Sequence, residues 1–217
     1  MREFGLLVMA KAPQPGQVKT RLCPPFTHEQ AAVLAAAALR DTVGAVRQCP
    51  AASRLVALDW PSAGPIPGEL ADLPVIRQQG ADLGGRLDHA LACAWSLHPV
   101  PHLVIGMDTP QVTAALLQRV ATSVSRPDQA VLGRAADGGF WCLAFGGSPA
   151  PVLHQVPMSR SDTADRVESV LRAAGYGVAF APQLEDVDDA GSAARVAALA
   201  PSTHFARAFR SLVGDEA

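Results

Sequence analysis

Residues 4–48 read FGLLVMAKAPQPGQVKTRLCPPFTHEQAAVLAAAALRDTVGAVRQ, and the pattern of this stretch decides the fold. Phe4 to Met9 is a continuous apolar run ending at Ala10. Such a run, without polar alternation, marks a short strand covered on both faces. A Pro/Gly-rich loop, KAPQPGQVKTRLCPP, follows it. Thr27 and Gln30 then form a capping-box signature ahead of an Ala/Leu-rich helix that reaches about Gln48. Arg54–Leu58 is the next strand candidate, so the order is strand, helix, strand.

The alternation continues along the chain. A Pro/Gly-rich connection from Trp60 to Gly68 leads to a short strand at Val75–Gln78, then to QGADLGGRL and a helix to about His98. Leu103–Gly106 is a buried-type strand that stops at Met107-Asp108-Thr109-Pro110, and Ala114–Val124 is helical. Ala130–Gly133 and Phe140–Phe145 are strands separated by RAADGG. A helix capped by Ser161 or Asp162 runs to Ala174 and is closed by Gly175. Val178–Ala181 is the last strand, with the acidic turn EDVDDAGS and a final helix behind it. Continuous apolar strands joined by helices predict an α/β fold, a mostly parallel central sheet with helices on both faces. The expectation is a single domain over residues 1–217 with its core at about 3–200. Ligands of such sheets sit beyond the carboxyl ends of the strands, which is where the polar clusters of this chain fall.

Composition narrows the function. Of 217 residues 49% are hydrophobic and 18% charged, enough apolar surface to offset chain entropy and exclude disorder. Eighteen Lys and Arg against 20 Asp and Glu give a formal charge of −2, which excludes a nucleic-acid binder that neutralises many phosphates. The N-terminal apolar run has about six residues, against the roughly 18 to 20 that span a bilayer, and no cleavage site follows it. No membrane segment or secretory signal is expected. Cys23, Cys49, Cys93 and Cys142 are scattered, without a CxxC or a close His partner, which predicts a reduced cytoplasmic chain. The six histidines show no metal or triad spacing. The patterns GxxxxGK[ST], GxGxxG and GxSxG are all absent, so P-loop hydrolysis, dinucleotide binding and a nucleophile elbow have no support.

A few clusters can carry chemistry. Lys11, Lys19 and Arg21 flank Gly16 in the first loop, and either wrap a phosphate chain or solvate an exposed loop. Asp108, after a strand expected to be central, either holds a hard divalent cation or caps the helix that Pro110 could start. A second acidic cluster, Glu185, Asp186, Asp188 and Asp189, favours the metal reading, with Asp189 assigned to capping the final helix. Gly80, Gly84 and Gly85 around Asp82 and Arg86, and Gly138 and Gly139 beside Asp137, either admit a flat base or sugar or simply turn the chain. Ser159 and Ser161 either donate to an anion or, for Ser161, cap a helix.

Taken in order, VMAKAPQPGQVKTRL, QGADLGGRL, GMDTP, ADGGFWCLAF and EDVDD resemble a bacterial family of nucleotide-diphospho-sugar transferases with the Rossmann-like glycosyltransferase-A fold, of the type associated with radical-SAM gene neighbourhoods. The resemblance covers about residues 5–195, and the KTRL element is more distantly similar to guanylyltransferases of deazaflavin and molybdenum cofactor synthesis. It implies that Lys11, Lys19 and Arg21 contact donor phosphates and that Ala10 also lies at the nucleotide, with Lys19, Arg21 and Asp108 in the catalytic role. Gln79, Gly80 and Asp82 are implied near the base and ribose, and Gly138, Gly139 and Ser159 at the acceptor. Asp108, Asp186 and Asp188 are implied as ligands of Mg²⁺ or Mn²⁺. Met107 splits the usual Gly-Asp pair, Met158 stands where the family has Trp, and Asp189 replaces a Thr.

The leading expectation is glycosyl transfer from a nucleotide-diphospho-sugar to a small-molecule acceptor. The alternatives are nucleotidyl transfer, which the three first-loop cations would suit by matching a triphosphate, and a catalytically silent nucleotide-binding module.

Overall fold

The computed structural model describes residues 3–61 and 64–214, so residues 62–63 of the expected Trp60–Gly68 connection lie outside the described residues. Among the described residues seven strands form one sheet: β1 (Gly5–Lys11), β2 (Ser53–Asp59), β3 (Val75–Arg77), β4 (His102–Gly106), β5 (Gln129–Ala135), β6 (Phe140–Phe145) and β7 (Gly177–Leu184). Their spatial order is β3-β2-β1-β4-β6-β5-β7, with β6 antiparallel to both neighbours and every other pairing parallel. Six α-helices accompany them among the described residues: α1 (His28–Gln48), α2 (Leu83–Leu97), α3 (Ala114–Ser123), α4 (Thr163–Ala173), α5 (Ala190–Leu199) and α6 (His204–Gly214). No helix of the described residues is long and apolar enough to cross a membrane.

The unbroken apolar run of β1 has its reason in the two cores. Leu6, Val8 and Ala10 pack with Leu39 and Val43 of α1 and Leu117 of α3. Leu7 and Met9 belong to the core on the other face, with Leu87 and Leu91 of α2 and Val167 of α4. The alanines of α1 have a similar explanation. Its Ala35 lies in the sheet core, while Ala31, Leu34 and Ala38 pack under Val196 of α5 and Phe205 of α6. A helix held between a sheet and a further helical layer buries opposite faces, and small side chains let both neighbours approach.

Two local expectations are corrected. The single final helix is two, because Pro201 lacks the N–H that would continue α5. Thr203 then accepts from Ala206 N at 3.1 Å, and Asp41 of α1 accepts from the backbone N–H groups of His204 and Phe205 at 2.9 and 2.8 Å, anchoring the new helix start on α1. The last strand runs to Leu184 rather than Ala181, across Pro182. A proline is tolerated there because β7 is an edge strand, paired on one side only.

This topology sends the carboxyl ends of β1, β2, β4, β5 and β7 to one edge. β4 is the fourth of the seven strands, which puts the loop after it at the centre of that edge.

Candidate active site

That edge opens into a cavity of about 680 Å³. Its first wall is the loop after β1. Gly16 turns this loop at φ +72°, and Lys19 takes the left-handed conformation at φ +50° ahead of a short helical turn at Thr20–Leu22. The turn directs the Lys19 side chain across the sheet edge, where it is only 10% exposed, with Nζ 2.6 Å from Asp108 Oδ1 and donating to the Val187 carbonyl. Arg21, 66% exposed, donates to Asp188 Oδ2 at 2.9 Å. Lys11 lines the cavity without a side-chain partner among the described residues, and its backbone N–H donates to Met107 Sδ at 3.3 Å. The residue that splits the Gly-Asp pair is therefore buried, and its sulfur tethers the end of β1.

The central loop joins β4 to α3. Helix α3 starts at Ala114 with Thr113 as its cap, accepting from Leu116 N at 3.2 Å. The cap is thus Thr113 rather than Asp108 or Thr109, and the capping alternative for Asp108 falls away. The loop is laced to the one after β7: Val187 N donates to the Asp108 carbonyl at 2.8 Å, and the Gln111 side chain donates to the Glu185 carbonyl. Asp189 caps α5 as expected, accepting from Ser192 N at 2.7 Å.

Asp186 stands between these loops with its pKa raised from 3.8 to about 6. Burial is the largest cause and the nearby Asp137 carboxylate the next; its own backbone N–H and Lys19 oppose the rise, while Asp108 adds to it. Asp137 comes from the β5–β6 turn, just past the place where the register of β5 slips at Gly133–Ala135. Bulges of this kind commonly re-aim side chains beside sites.

Other expected residues divide. Ala10, Gly139 and Ser159 line the cavity, whereas Gln79, Gly80, Asp82 and Gly138 do not. Asp82 is instead the N-cap of α2, accepting from Gly85 N at 2.8 Å. At Gly80 a Cβ would lie 2.5 Å from Arg86 N, so this glycine serves packing. The neighbour Gln78 reaches the cavity in their place, its amide donating to the carbonyls of Ala10 and Ala57 at 2.9 Å each. Asp59, paired with Arg86 at 3.0 Å, and Arg160 also line the wall. Asp59 ends β2 as Asp108 follows β4, and the same strand-end rule could have found it.

Gly138 joins two walls. At φ +90°, its Cβ would fall 1.9 Å from the Ser161 carbonyl oxygen, and its own carbonyl accepts from Ala164 N of α4 at 2.9 Å. Gly138→Ala is expected to destabilise the fold by about 3 kcal/mol, a drop of about 10 °C in melting temperature. A calorimetric melt checks this; an unshifted transition would mean the turn and α4 are not locked together.

The expected set of three carboxylates is not assembled in this arrangement. Among the described residues no group of three or more His, Cys, Asp or Glu side chains is placed to hold a metal ion, and Asp188 is turned to Arg21. Five aspartates of the described residues line the cavity; Asp59 is held by Arg86 and Asp188 by Arg21, which leaves Asp108, paired with Lys19, Asp186 and Asp137 as the carboxylates for a cation. That donor set still fits Mg²⁺ or Mn²⁺ chemistry, since such ions take one or two carboxylates and complete their shell with water and phosphate oxygens. The absence of a close Cys–His pair is also corrected: Cys93 Sγ lies 3.6 Å from His89 Nε2, one turn apart on α2, and neither residue lines the cavity.

The same fold has known relatives. The model of a family described as an uncharacterized protein conserved in bacteria (DUF2064) matches residues 42–160. No curated protein is a significant match. Among solved structures, a protein from Desulfovibrio desulfuricans G20, provisionally described as a nucleotide-diphospho-sugar transferase, superposes with a TM-score of 0.87 at 24% identity, covering 100% of this chain and 96% of the other. A nucleotidyl transferase from Methanothermobacter gives a TM-score of 0.59 at 16% identity, covering 94% and 98%. The 2-C-methyl-D-erythritol 4-phosphate cytidylyltransferase of Thermus thermophilus gives 0.53 at 20% identity, covering 92% and 99%. At these identities the likeness establishes the shared fold.

Proposed function

The chain belongs to the DUF2064 family, and from that premise and the cavity at its sheet edge we propose a metal-dependent transferase that takes a nucleotide-diphospho-sugar and passes the sugar to a small-molecule acceptor. One observation carries this reading: a single cavity is lined both by the first-loop cations Lys11, Lys19 and Arg21 and by the carboxylates Asp108, Asp186 and Asp188 of the loops after β4 and β7. Lys11, without a side-chain partner among the described residues, and Arg21, held by an exposed ion pair, are the groups ready to bind a diphosphate. Exposed pairs contribute little, so Arg21 can exchange Asp188 for phosphate at small cost. Asp108 and Asp186 would hold the Mg²⁺ or Mn²⁺, which when bound neutralises charge on the departing nucleoside diphosphate. The acceptor would lie against Gly139, Phe140 and Ser159, where Met158 also lines the wall. The four unpaired cysteines suit a reducing compartment, the cytoplasm.

Lys19 bears on the choice of donor. Before any ligand arrives its ammonium is held by Asp108 and Val187, so two first-loop cations rather than three meet the incoming phosphates, which suits capture of a diphosphate. Nucleotidyl transfer is the second reading, favoured by the exposure of Arg21, which can follow a third phosphate into solvent.

A thermal-shift panel of nucleoside triphosphates, diphosphates and nucleotide-sugars with Mg²⁺ or Mn²⁺ tests the reading. A nucleotide-sugar at about a hundred times its dissociation constant is expected to stabilise the fold by about 2.7 kcal/mol, several degrees in melting temperature. Stabilisation by triphosphates alone would transfer support to nucleotidyl transfer, and none by any nucleotide would refute both.

A further inference from the structure

Lys19 is placed unlike an ordinary phosphate-binding lysine. The first loop carries it in a left-handed backbone conformation, its side chain is 10% exposed, and its ammonium touches two oxygens from two different loops. One is a carboxylate oxygen of Asp108, the residue best placed to ligate a metal; the other is the carbonyl of Val187, which sits between Asp186 and Asp188. Asp186 lies within the electrostatic reach of the same ammonium. A compact cation among oxygen donors of this kind is what a divalent ion would find on arrival, already neutralising the cluster it needs.

We propose that the Lys19 ammonium is a built-in counter-cation that competes with the divalent metal for Asp108 until a phosphate draws it away. The inference rests on the transferase reading and adds an order to it. Metal alone binds weakly, because it must displace an ammonium held by two oxygens in a cleft of reduced dielectric. A diphosphate entering beside Lys11 offers Lys19 another anion, and the freed Asp108 oxygen then becomes available. By linkage, phosphate and metal each strengthen the binding of the other. The protein would thereby avoid being loaded with metal while no donor is present.

The test uses the full chain and two probes, Mn²⁺ alone and inorganic pyrophosphate alone. Free Mn²⁺ is followed by its electron paramagnetic resonance signal, and pyrophosphate binding by calorimetry. Lys19→Met and Lys19→Gln are expected to bind Mn²⁺ about tenfold more tightly than the wild type, and Lys19→Arg, which keeps the charge, about equally. Metal-free pyrophosphate is expected to bind Lys19→Met about tenfold more weakly. A merely structural lysine would behave oppositely in the first measurement, since disordering the loops weakens metal binding in every variant. Lys19→Gln retains a donor for the Val187 carbonyl, so it keeps the test decisive if Lys19→Met folds poorly. Unchanged or weaker Mn²⁺ binding in both uncharged variants overturns the inference, as does unchanged pyrophosphate affinity. If Mn²⁺ binds neither the wild type nor any variant, the metal-dependent reading of the cavity fails first, and this inference with it.

Discussion

Asp108→Ala is expected to lower turnover by about a thousandfold or more while the chain stays folded. The asymmetry follows from how the residue is attached. Its backbone carbonyl accepts from Val187 N at 2.8 Å, and that link between the loops survives any side-chain change. Its side chain is 47% exposed, so a truncation empties no enclosed space. The main structural consequence is that the 10% exposed Lys19 loses one of its two oxygens and keeps the Val187 carbonyl. Removing one partner of a half-buried pair costs about 1 kcal/mol here, since the remaining charge can still reach water in the open cavity. The functional consequence is larger, because both proposed roles of Asp108, holding the metal and receiving Lys19, use the same carboxylate. Asp108→Asn separates them: it retains the shape and an acceptor oxygen but not the charge, and should be nearly as inactive. Turnover with a nucleotide-sugar, Mn²⁺ affinity and a melting curve are the three measurements. Normal turnover in Asp108→Ala would remove this residue from the site, whatever the melting curve shows.

The elements that follow from local physics are legible in the amino-acid sequence itself. A continuous apolar run is enough to identify β1 as a buried strand, and the Thr27–Gln30 box is enough to start α1 at the right residue, because both signals act within a few positions. The cap at Asp189 is of the same kind. Pairings between distant loops are not. That Lys19 meets Asp108 and Arg21 meets Asp188 depends on the path of three loops over the sheet edge, and spacing along the chain holds no trace of it. For this reason the carboxylates can be expected near one another, but the engagement of Lys19 and the turning of Asp188 to Arg21 cannot. Gln78, rather than Gln79, reaches the cavity, and a one-residue shift at the end of a three-residue strand is below what a sequence pattern resolves. Asp137 is legible as a turn residue only, since its reach toward Asp186 depends on the slipped register of β5.

Asp186→Asn should make the protein more stable at neutral pH and at the same time abolish its response to divalent metal. The folded chain holds the Asp186 proton up to about pH 6, whereas an unfolded chain releases it near 3.8. Between those values the folded state binds more protons than the unfolded one, so the contribution of this group to stability is greatest below about pH 4 and is lost as pH rises through 6. Burial and the repulsion of Asp137 are the causes that lead; an uncharged amide escapes the repulsion and costs less to bury than a carboxylate. Because the cavity is open to water, the cost of the charged form is about 1 kcal/mol rather than the larger figure an enclosed site would carry. Asp186→Asn is therefore expected to melt about 3 °C higher than the wild type at about pH 7.5 and at the same temperature at about pH 4. With pyrophosphate present, added Mg²⁺ or Mn²⁺ should raise the wild-type melting temperature at neutral pH and leave that of the variant unmoved. A structural carboxylate predicts the reverse, a variant less stable at neutral pH, and that result would overturn the assignment. A site that keeps a buried carboxylate at a cost in stability has the thermodynamic form of a binding site, since a cation that arrives there recovers the free energy the fold has given up.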